Sequence, residues 1–194
     1  MCKIAYITGV FPEGTARISR DLSAKGYAVY TNDQKDCVWR AGKLDLLVCG
    51  LEWDASPETA GAPDEAAYDA LLGEYERYAL GTVQVVHDLL PLLQKGEQKR
   101  IAFLTSRDGS NQMCRETGKS GKRIVLAAVH MFASLLFNEL RPQGYTMRMY
   151  CADGDYRYAA EYFTRDRSYE PEDPKHSDEN RLVLRDAFSC EIPW

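Results

Sequence analysis

The clearest indication of the fold is the segment KRIAFLTS (residues 99–106), followed after a polar loop by IVLAAVHMFASLLFNELRPQGY (residues 124–145). The first part is a continuous apolar run that ends in Thr-Ser, which is typical of a strand covered on both faces. The second part is apolar over well more than one helical face and stops at Arg141-Pro142, which predicts a buried helix over 124–140. A strand followed by such a helix is the repeating unit of an α/β sheet.

The same alternation continues in both directions along the chain. We predict strands at 3–8, 27–31, 44–49, 101–105, 146–151 and 181–184, and helices at 16–25, 64–93, 124–140 and 158–163. The helix over 64–93 is expected to kink near Gly81 and to end around Pro91. This order predicts one domain over 1–194, an α/β fold with three layers, built on a doubly wound, mostly parallel sheet of about six strands. Ligands of such sheets bind beyond the carboxyl ends of the strands.

Composition narrows the classes of function. A net charge of −5 argues against a nucleic-acid partner, and no apolar run reaches the roughly 18 residues of a membrane span. The first residues run directly into a strand without the apolar core of a signal peptide, so we expect a cytoplasmic protein. The six cysteines form no Cys-x-x-Cys pair. We therefore expect reduced thiols, with Cys2, Cys49 and Cys151 buried, and no metal site, including at His130, which lies in an apolar helix.

Read in order, these segments resemble the short-chain dehydrogenases/reductases, a family of Rossmann-like, NAD(P)-dependent oxidoreductases. Thr8-Gly9 matches the start of the family's Thr-Gly-x-x-x-Gly-x-Gly turn. The resemblance places a ribose-binding acid at Asp33 and puts Gly50 at the end of the strand that carries Asn-Asn-Ala-Gly in the family. It also places at Ser106 the serine whose hydroxyl orients the substrate carbonyl. These positions imply NAD or NADP as the cofactor.

The cofactor turn departs from the family pattern. The second and third turn glycines fall at Glu13 and Thr15, with Gly14 between them. Such glycines let the backbone approach the pyrophosphate, and a glutamate at about 4 Å from a phosphate costs roughly 4 kcal/mol at an effective dielectric of 20. The spacing from Gly9 to Thr15 approximates the Gly-x5-Ser-x-Ala turn of the divergent enoyl-acyl-carrier-protein reductases. We expect no nicotinamide dinucleotide to bind with micromolar affinity, and treat Gly9, Gly14, Thr15, Asp33 and Gly50 as remnant cofactor positions.

The catalytic helix departs further. The tyrosine and lysine of the family's Tyr-x-x-x-Lys fall at Lys122 and Leu126. Without the phenol, Ser106 cannot complete the acid–base relay. Tyr78, at the position of the family's helix asparagine, could supply a relocated phenol or simply pack in the core. Lys119 and Lys122 could present positive charge to the crevice, but we expect them in a mobile loop.

The segment between Asp33 and Leu46 is short. About a dozen residues span roughly 40 Å when extended, which is too little for the helix, strand and helix that the family has there. We therefore predict that one edge strand of the family sheet is missing, and with it the usual wall beside the adenine.

These features support three hypotheses. The first is a non-catalytic or weakly ligand-binding homodimer that acts as a binding or regulatory module, with a small-molecule ligand possible. The alternative is an active NAD(P)-dependent oxidoreductase with relocated acid–base residues, and the third is a subunit that pairs with a complete relative. The helices over 64–93 and 124–140 carry more apolar residues than one buried face requires. This favours dimerisation through them, since these helices form a two-fold four-helix bundle in the family.

Overall fold

A seven-stranded sheet forms the centre of the protein in a computed structural model, which describes residues 2–51, 65–115, 118–165 and 178–194. The strand order is β2-β1-β3-β4-β5-β6-β7, with every neighbouring pair parallel except β6 and β7. The strands are β1 (Lys3–Thr8), β2 (Tyr27–Thr31), β3 (Leu46–Gly50), β4 (Arg100–Thr105), β5 (Thr146–Cys151), β6 (Leu184–Arg185) and β7 (Glu191–Ile192). The mostly parallel sheet is confirmed, and it exceeds the expected six strands by the two-residue β7.

Helices cover both faces of this sheet. They are α1 (Pro12–Ala24), α2 (Lys35–Ala41), α3 (Glu65–Glu74), α4 (Gly81–Lys95), α5 (Ser120–Leu140) and α6 (Ala159–Thr164). A π-helical segment, Tyr75–Leu80, joins α3 to α4, so the long predicted helix is one continuous helical run. The run contains Pro91 and ends at Lys95 rather than near the proline. The predicted N-cap Asp64 and the acidic loop around residue 170 lie outside the described residues.

The missing edge strand is confirmed by the strand order. β1 pairs with both β2 and β3, and within the described ranges β2 has no second neighbour. The chain passes from β2 to β3 through the short helix α2, whose Val38 is fully buried in the core. The short connection therefore replaces a strand with one helix that packs over β1.

The core has two layers, one on each face of the sheet, because side chains alternate along each strand. In β1, Tyr6 belongs to the layer that contains α4 and α5, whereas Ala5 and Ile7 belong to the layer that contains α1 and α6. All six cysteines are free, and Cys49 and Cys151 are buried as expected. Cys2 is exposed, contrary to our expectation, because it precedes the first buried residue of β1.

Helix α5 is the most apolar element. The stretch Ser120–Gln143 is long and apolar enough to cross a membrane by length and composition alone. One side of α5 is nevertheless buried in the core, including Val125, Val129 and Ala133. On the opposite side Met131 and Leu135 are 61% and 62% exposed. Helix α5 therefore has an exposed apolar side, formed by Met131 and Leu135, which we call its bare apolar stripe.

Candidate functional site

A cleft opens beyond the carboxyl ends of β1, β2 and β3, where the fold class predicts ligands. It encloses about 470 Å³. Its walls are the β1–α1 turn, the ends of β2 and β3, and one side of the π-helical segment and α4. The lining residues are Thr8, Gly9, Val10, Phe11, Pro12, Asn32, Cys49, Gly50, Arg77, Tyr78, Gly81, Thr82 and Val85.

Two glycines bring the ends of β1 and β3 into direct backbone contact at this cleft. Gly9 has φ +71°, and a Cβ atom on it would overlap the carbonyl oxygen of Gly50. A Cβ atom on Gly50 would in turn overlap the carbonyl oxygen of Gly9. Two of the predicted remnant cofactor positions therefore lie together and line the cleft, in a contact that only glycine allows.

The β1–α1 turn is shorter than the sequence suggested. Helix α1 begins at Pro12, four residues before the predicted start, because proline at the first helical position has its φ already set. Gly14 consequently lies inside the helix, where an added Cβ would stand 2.7 Å from the ring of Tyr156. The Thr15 hydroxyl donates to the Val10 carbonyl at 3.0 Å. Neither Gly14 nor Thr15 lines the cleft.

Glu13 lies away from the position we expected. It is exposed and lines a separate depression with Arg17, Arg20 and Asp155. The early start of α1 explains this, because it makes Glu13 the second helical residue. The charge repulsion that we expected at the phosphate turn is therefore not a property of the cleft lining. Pro12 weakens the turn for another reason, since it has no N–H to offer an anion.

Asp33 and its neighbour Asn32 occupy a 3₁₀ turn, Asn32–Gln34, at the end of β2. Asp33 is exposed and does not line the cleft, whereas Asn32 does. The Asn32 carbonyl accepts a hydrogen bond of 2.7 Å from the Tyr6 hydroxyl. Burial raises the pKa of Tyr6, so this phenol is a neutral donor that holds the β2 end beside the cleft.

The facing wall comes from the π-helical segment. Tyr78 is half-buried there, and its carbonyl accepts a hydrogen bond of 2.6 Å from the Thr82 hydroxyl. The Arg77 guanidinium carbon lies 5.1 Å from the centre of the Tyr78 ring. Segments of this kind occur frequently at functional sites. The structure thus places Tyr78 in the cleft wall together with Gly9 and Gly50.

A second group of polar side chains lies beyond the ends of β4 and β5. Ser106 is buried, and its hydroxyl accepts a hydrogen bond of 3.2 Å from the Asp108 amide. Asp153 accepts from Arg107 Nε at 2.6 Å and from the Cys151 thiol at 3.1 Å. Burial opposes ionisation of Asp153, but hydrogen bonds from Ser106, Cys151 and Arg107 outweigh it and lower its pKa. Burial raises the pKa of Cys151 to about 12, so Cys151 stays a thiol.

Lys122 lies in the first turn of α5, not in the loop that we expected, because the helix begins at Ser120. Its Nζ atom is 2.9 Å from Asp108 Oδ2, and Arg123 Nη2 is 3.9 Å from the other carboxylate oxygen. Lys119 is exposed and precedes the helix with φ +50°. The position that resembles the catalytic tyrosine therefore carries an ammonium group paired with a carboxylate.

Leu126 and His130 lie one and two turns further along α5, below the turn that follows Ser106. Leu126 is fully buried, and a Cβ added to Gly109 would lie 2.8 Å from its Cβ and 2.6 Å from the His130 ring. His130 Nε2 is 2.8 Å from the Thr105 hydroxyl, and burial lowers its pKa to about 4. His130 is thus a neutral core residue. Among residues 2–51, 65–115, 118–165 and 178–194, no three His, Cys, Asp or Glu side chains cluster as a metal site.

Sequence reasoning missed Arg77, Asp108 and Asp153. Asp108 carried a weak signal, since it follows Ser106 by two residues. For Asp153, nothing in the sequence indicated its bond to Arg107. Arg77 gave no signal, because a regular helix over 64–93 does not predict the π-helical segment that carries it.

Comparisons with known proteins agree with this geometry. No family model matches the chain. C-signal of Myxococcus xanthus is 36% identical over 67 residues, which are 34% of this chain and 40% of that protein. The candidate carbonyl reductase Sniffer of Caenorhabditis elegans superposes with a TM-score of 0.76 and 14% identity over 100% of both chains. A candidate short-chain dehydrogenase/reductase of Burkholderia multivorans with bound NADP gives 0.73 and 12% identity, also over 100% of both chains. The chain therefore has the fold of the short-chain dehydrogenases/reductases.

Proposed function

We propose that the protein is a non-catalytic member of the short-chain dehydrogenase/reductase family that binds a small ligand in the cleft and works in the cytoplasm as a homodimeric binding or regulatory module. The observation that carries this proposal is Lys122 at the catalytic tyrosine position, held 2.9 Å from Asp108. Leu126, at the position of the partner lysine, is buried and uncharged.

The chemistry follows from these two residues. Carbonyl reduction needs an acid that gives up its proton near neutral pH. The family obtains one by placing a lysine beside a tyrosine, and this chain has neither residue at those positions. Ser106 is also engaged, since its hydroxyl accepts from Asp108 and lies in hydrogen-bond contact with Asp153. In the place where the family binds the reacting carbonyl, Ser106 is therefore already hydrogen-bonded to Asp108 and Asp153.

Weak dinucleotide binding is the second part of the proposal. The turn that would cradle a pyrophosphate has Pro12 in place of an N–H donor, and Gly14 and Thr15 lie outside the cleft lining. Within the described residues β2 has no outer neighbour strand, which leaves one side of the cleft without the wall that the family has there. A helix N-terminus binds phosphate mainly through its free N–H groups, so losing one of them lowers the affinity.

The alternative remains an active NAD(P)-dependent oxidoreductase with a relocated acid. Two observations favour it: the cleft is open, and Tyr78 lies in its wall. The Burkholderia protein of the same fold carries NADP. In this alternative Tyr78 supplies the proton and the cleft holds the cofactor.

Titration calorimetry with NAD⁺, NADH, NADP⁺ and NADPH separates the two functions. We expect no dissociation constant below about 10 μM, which corresponds to about −7 kcal/mol. We also expect no oxidation of NADPH with a panel of ketones and enoyl thioesters. Micromolar binding together with a turnover that disappears in Tyr78→Phe would establish the alternative and overturn the non-catalytic function.

The proposed homodimer rests on the bare apolar stripe of α5 and on similar residues of the facing helical run. Leu72 and Leu80 in that run are 47% and 51% exposed. Large apolar side chains left exposed on two helices are expected at an interface when they form one patch. Light scattering should give twice the 22.0 kDa chain mass. A monomer that gains mass only with a complete relative would favour the third hypothesis, a hetero-oligomeric subunit.

A matched pair of variants tests where the dimer forms. Leu135→Glu places a charge within the stripe and should give a monomer, because an unpaired charge is costly in an apolar interface. Phe188→Glu changes a more exposed apolar residue, 80% exposed and located between β6 and β7, and should stay dimeric. A dimeric Leu135→Glu protein would place the interface elsewhere.

A further inference from the structure

Arg77 is the feature of the cleft that the proposed function leaves unused. Of the described residues that line the cleft, it alone carries a formal charge. Its guanidinium lies over the Tyr78 ring, and no carboxylate in the described part of the chain forms an ion pair with it. A stacked guanidinium is a planar group with fixed donors, which is the arrangement that recognises phosphate.

The opposite wall of the cleft has one N–H donor fewer than a regular helix start. Pro12 offers no N–H at the start of α1, so Glu13 carries the first N–H group inside this helix. The one charged side chain among the described lining residues, Arg77, is on the helix that faces the turn.

The remaining lining combines apolar and hydrogen-bonding groups. Val10, Phe11 and Val85 supply apolar surface, while Thr8, Asn32 and Thr82 supply hydroxyl and amide groups for hydrogen bonds. The volume of about 470 Å³ lies in the lower half of the roughly 300–1,000 Å³ typical of small-molecule sites. These groups match the chemistry of one nucleotide, whose base is apolar on its faces, whose sugar bears hydroxyl groups and whose phosphate is negative.

We infer that the cleft binds a nucleoside monophosphate, with the phosphate on Arg77 and the base against the apolar surfaces. The inference rests on the proposed function, because it takes the cleft to be a ligand site without hydride transfer. It differs from the family's use of the fold in the origin of the phosphate contact, which comes from the π-helical segment instead of the glycine turn.

Calorimetry with AMP, GMP, CMP and UMP, with adenosine and inorganic phosphate as partial ligands, tests the inference. We expect at least one monophosphate to bind below about 1 mM, and Arg77→Gln to weaken that binding about 10-fold or more, since a charge-assisted hydrogen bond contributes about 1.5–3 kcal/mol. Adenosine, which has no phosphate, should bind wild type and Arg77→Gln equally. Arg40→Gln removes the same charge from an exposed residue of α2 that does not line the cleft, and should leave the affinity unchanged.

A steric variant keeps the test decisive if the charge variant is ambiguous. Gly81 lines the cleft, and an added Cβ would meet only the Glu76 carbonyl oxygen, at 3.7 Å, so Gly81→Leu should fold and obstruct the cleft. We expect it to abolish monophosphate binding. Binding that survives Arg77→Gln unchanged, or no monophosphate binding below about 1 mM, overturns the inference and leaves the proposed function intact. Micromolar NADPH binding together with a turnover that disappears in Tyr78→Phe instead overturns the proposed function itself.

Discussion

The parallel strands all end at one edge of the sheet, and the two halves of this edge, β1 to β3 and β4 to β5, differ in their side chains. Beyond β1, β2 and β3 the protein has an open cleft whose lining includes a single charged side chain among the described residues. Beyond β4 and β5 the polar groups bond to each other: Asp108 with Lys122, and Asp153 with Arg107. In the first half backbone and apolar groups leave room for a ligand, whereas in the second half each carboxylate already has a cation.

Under the proposed function, this difference lets the fold lose its chemistry and keep a ligand site. A reacting carbonyl needs groups that are free to bond to it, and the second half offers few. A ligand cleft needs only space, apolar surface and one or two well-placed polar groups, and the first half still offers these.

The largest effect is expected from rebuilding the family's catalytic pair in the second half. Leu126→Lys would bury an ammonium beneath Gly109 and beside the neutral His130, and we expect it to lower the free energy of unfolding by about 3–5 kcal/mol. Lys122→Tyr changes a side chain that is 26% exposed, and should cost about 1 kcal/mol or less. Urea denaturation measures both. A Leu126→Lys protein as stable as wild type would mean that the second half is as open as the first.

The pH dependence of stability should come in part from His130. Its pKa is about 4 in the folded protein, against about 6.5 when unfolded, so the unfolded state binds more protons between these values. The free energy of unfolding should therefore be fully retained above pH 6.5 and fall by roughly 3 kcal/mol as the pH drops to 4 and below. Urea denaturation at each pH gives the free energy of unfolding of wild type and of His130→Gln. The difference between the two proteins isolates this fall.

His87 provides the control for that experiment, because its side chain is 83% exposed. His87→Gln should keep the wild-type dependence of stability on pH between 4 and 7. If the free energy of unfolding depended on pH equally in wild type and His130→Gln, water would reach the buried histidine. The second half would then be less tightly closed than the contacts of His130 indicate.

The smallest effect is expected from Glu13, which lies outside the cleft lining. Glu13→Gln should change the affinity of any cleft ligand by less than about twofold, and should cost about 0.3–1 kcal/mol of stability because it removes a negative charge from the first turn of α1. Calorimetry and urea denaturation measure the two quantities. A marked gain in affinity would return Glu13 to the cleft and restore the charge repulsion that the sequence suggested.

The sheet could be predicted from the sequence because its strands are buried on both faces. The bounds of β1 and β5 match the apolar runs at 3–8 and 146–151. The short connection after Asp33 correctly predicted that β2 has no outer neighbour in the part of the chain that the structure describes. Helix starts were less predictable. Both α1 and α5 begin four residues early with polar first turns, and burial of Gly14 and Gly121 in those turns depends on contacts that no local pattern shows.

The site could be predicted only as far as strand ends define it. Gly9, Gly50 and Ser106 follow directly from where strands stop. The partners of Ser106 could not be derived, because Asp153 reaches it from another strand end. Asp33 was expected at the cleft, but its neighbour Asn32 lines it instead. The reason is that both residues lie in a 3₁₀ turn and not in a continued strand.

The π-helical segment has a consequence for how this chain is aligned with others. Its widened turn, in which the Gly81 N–H bonds to the Glu76 carbonyl, holds one residue more than an α-helical turn. One residue corresponds to about 100° of rotation. Against a chain with a regular α-helix at this place, an alignment without a gap between residues 75 and 80 would therefore compare Arg77 with a residue on another side of that helix. Deleting one residue there would turn the arginine out of the cleft and leave the composition of the protein almost unchanged.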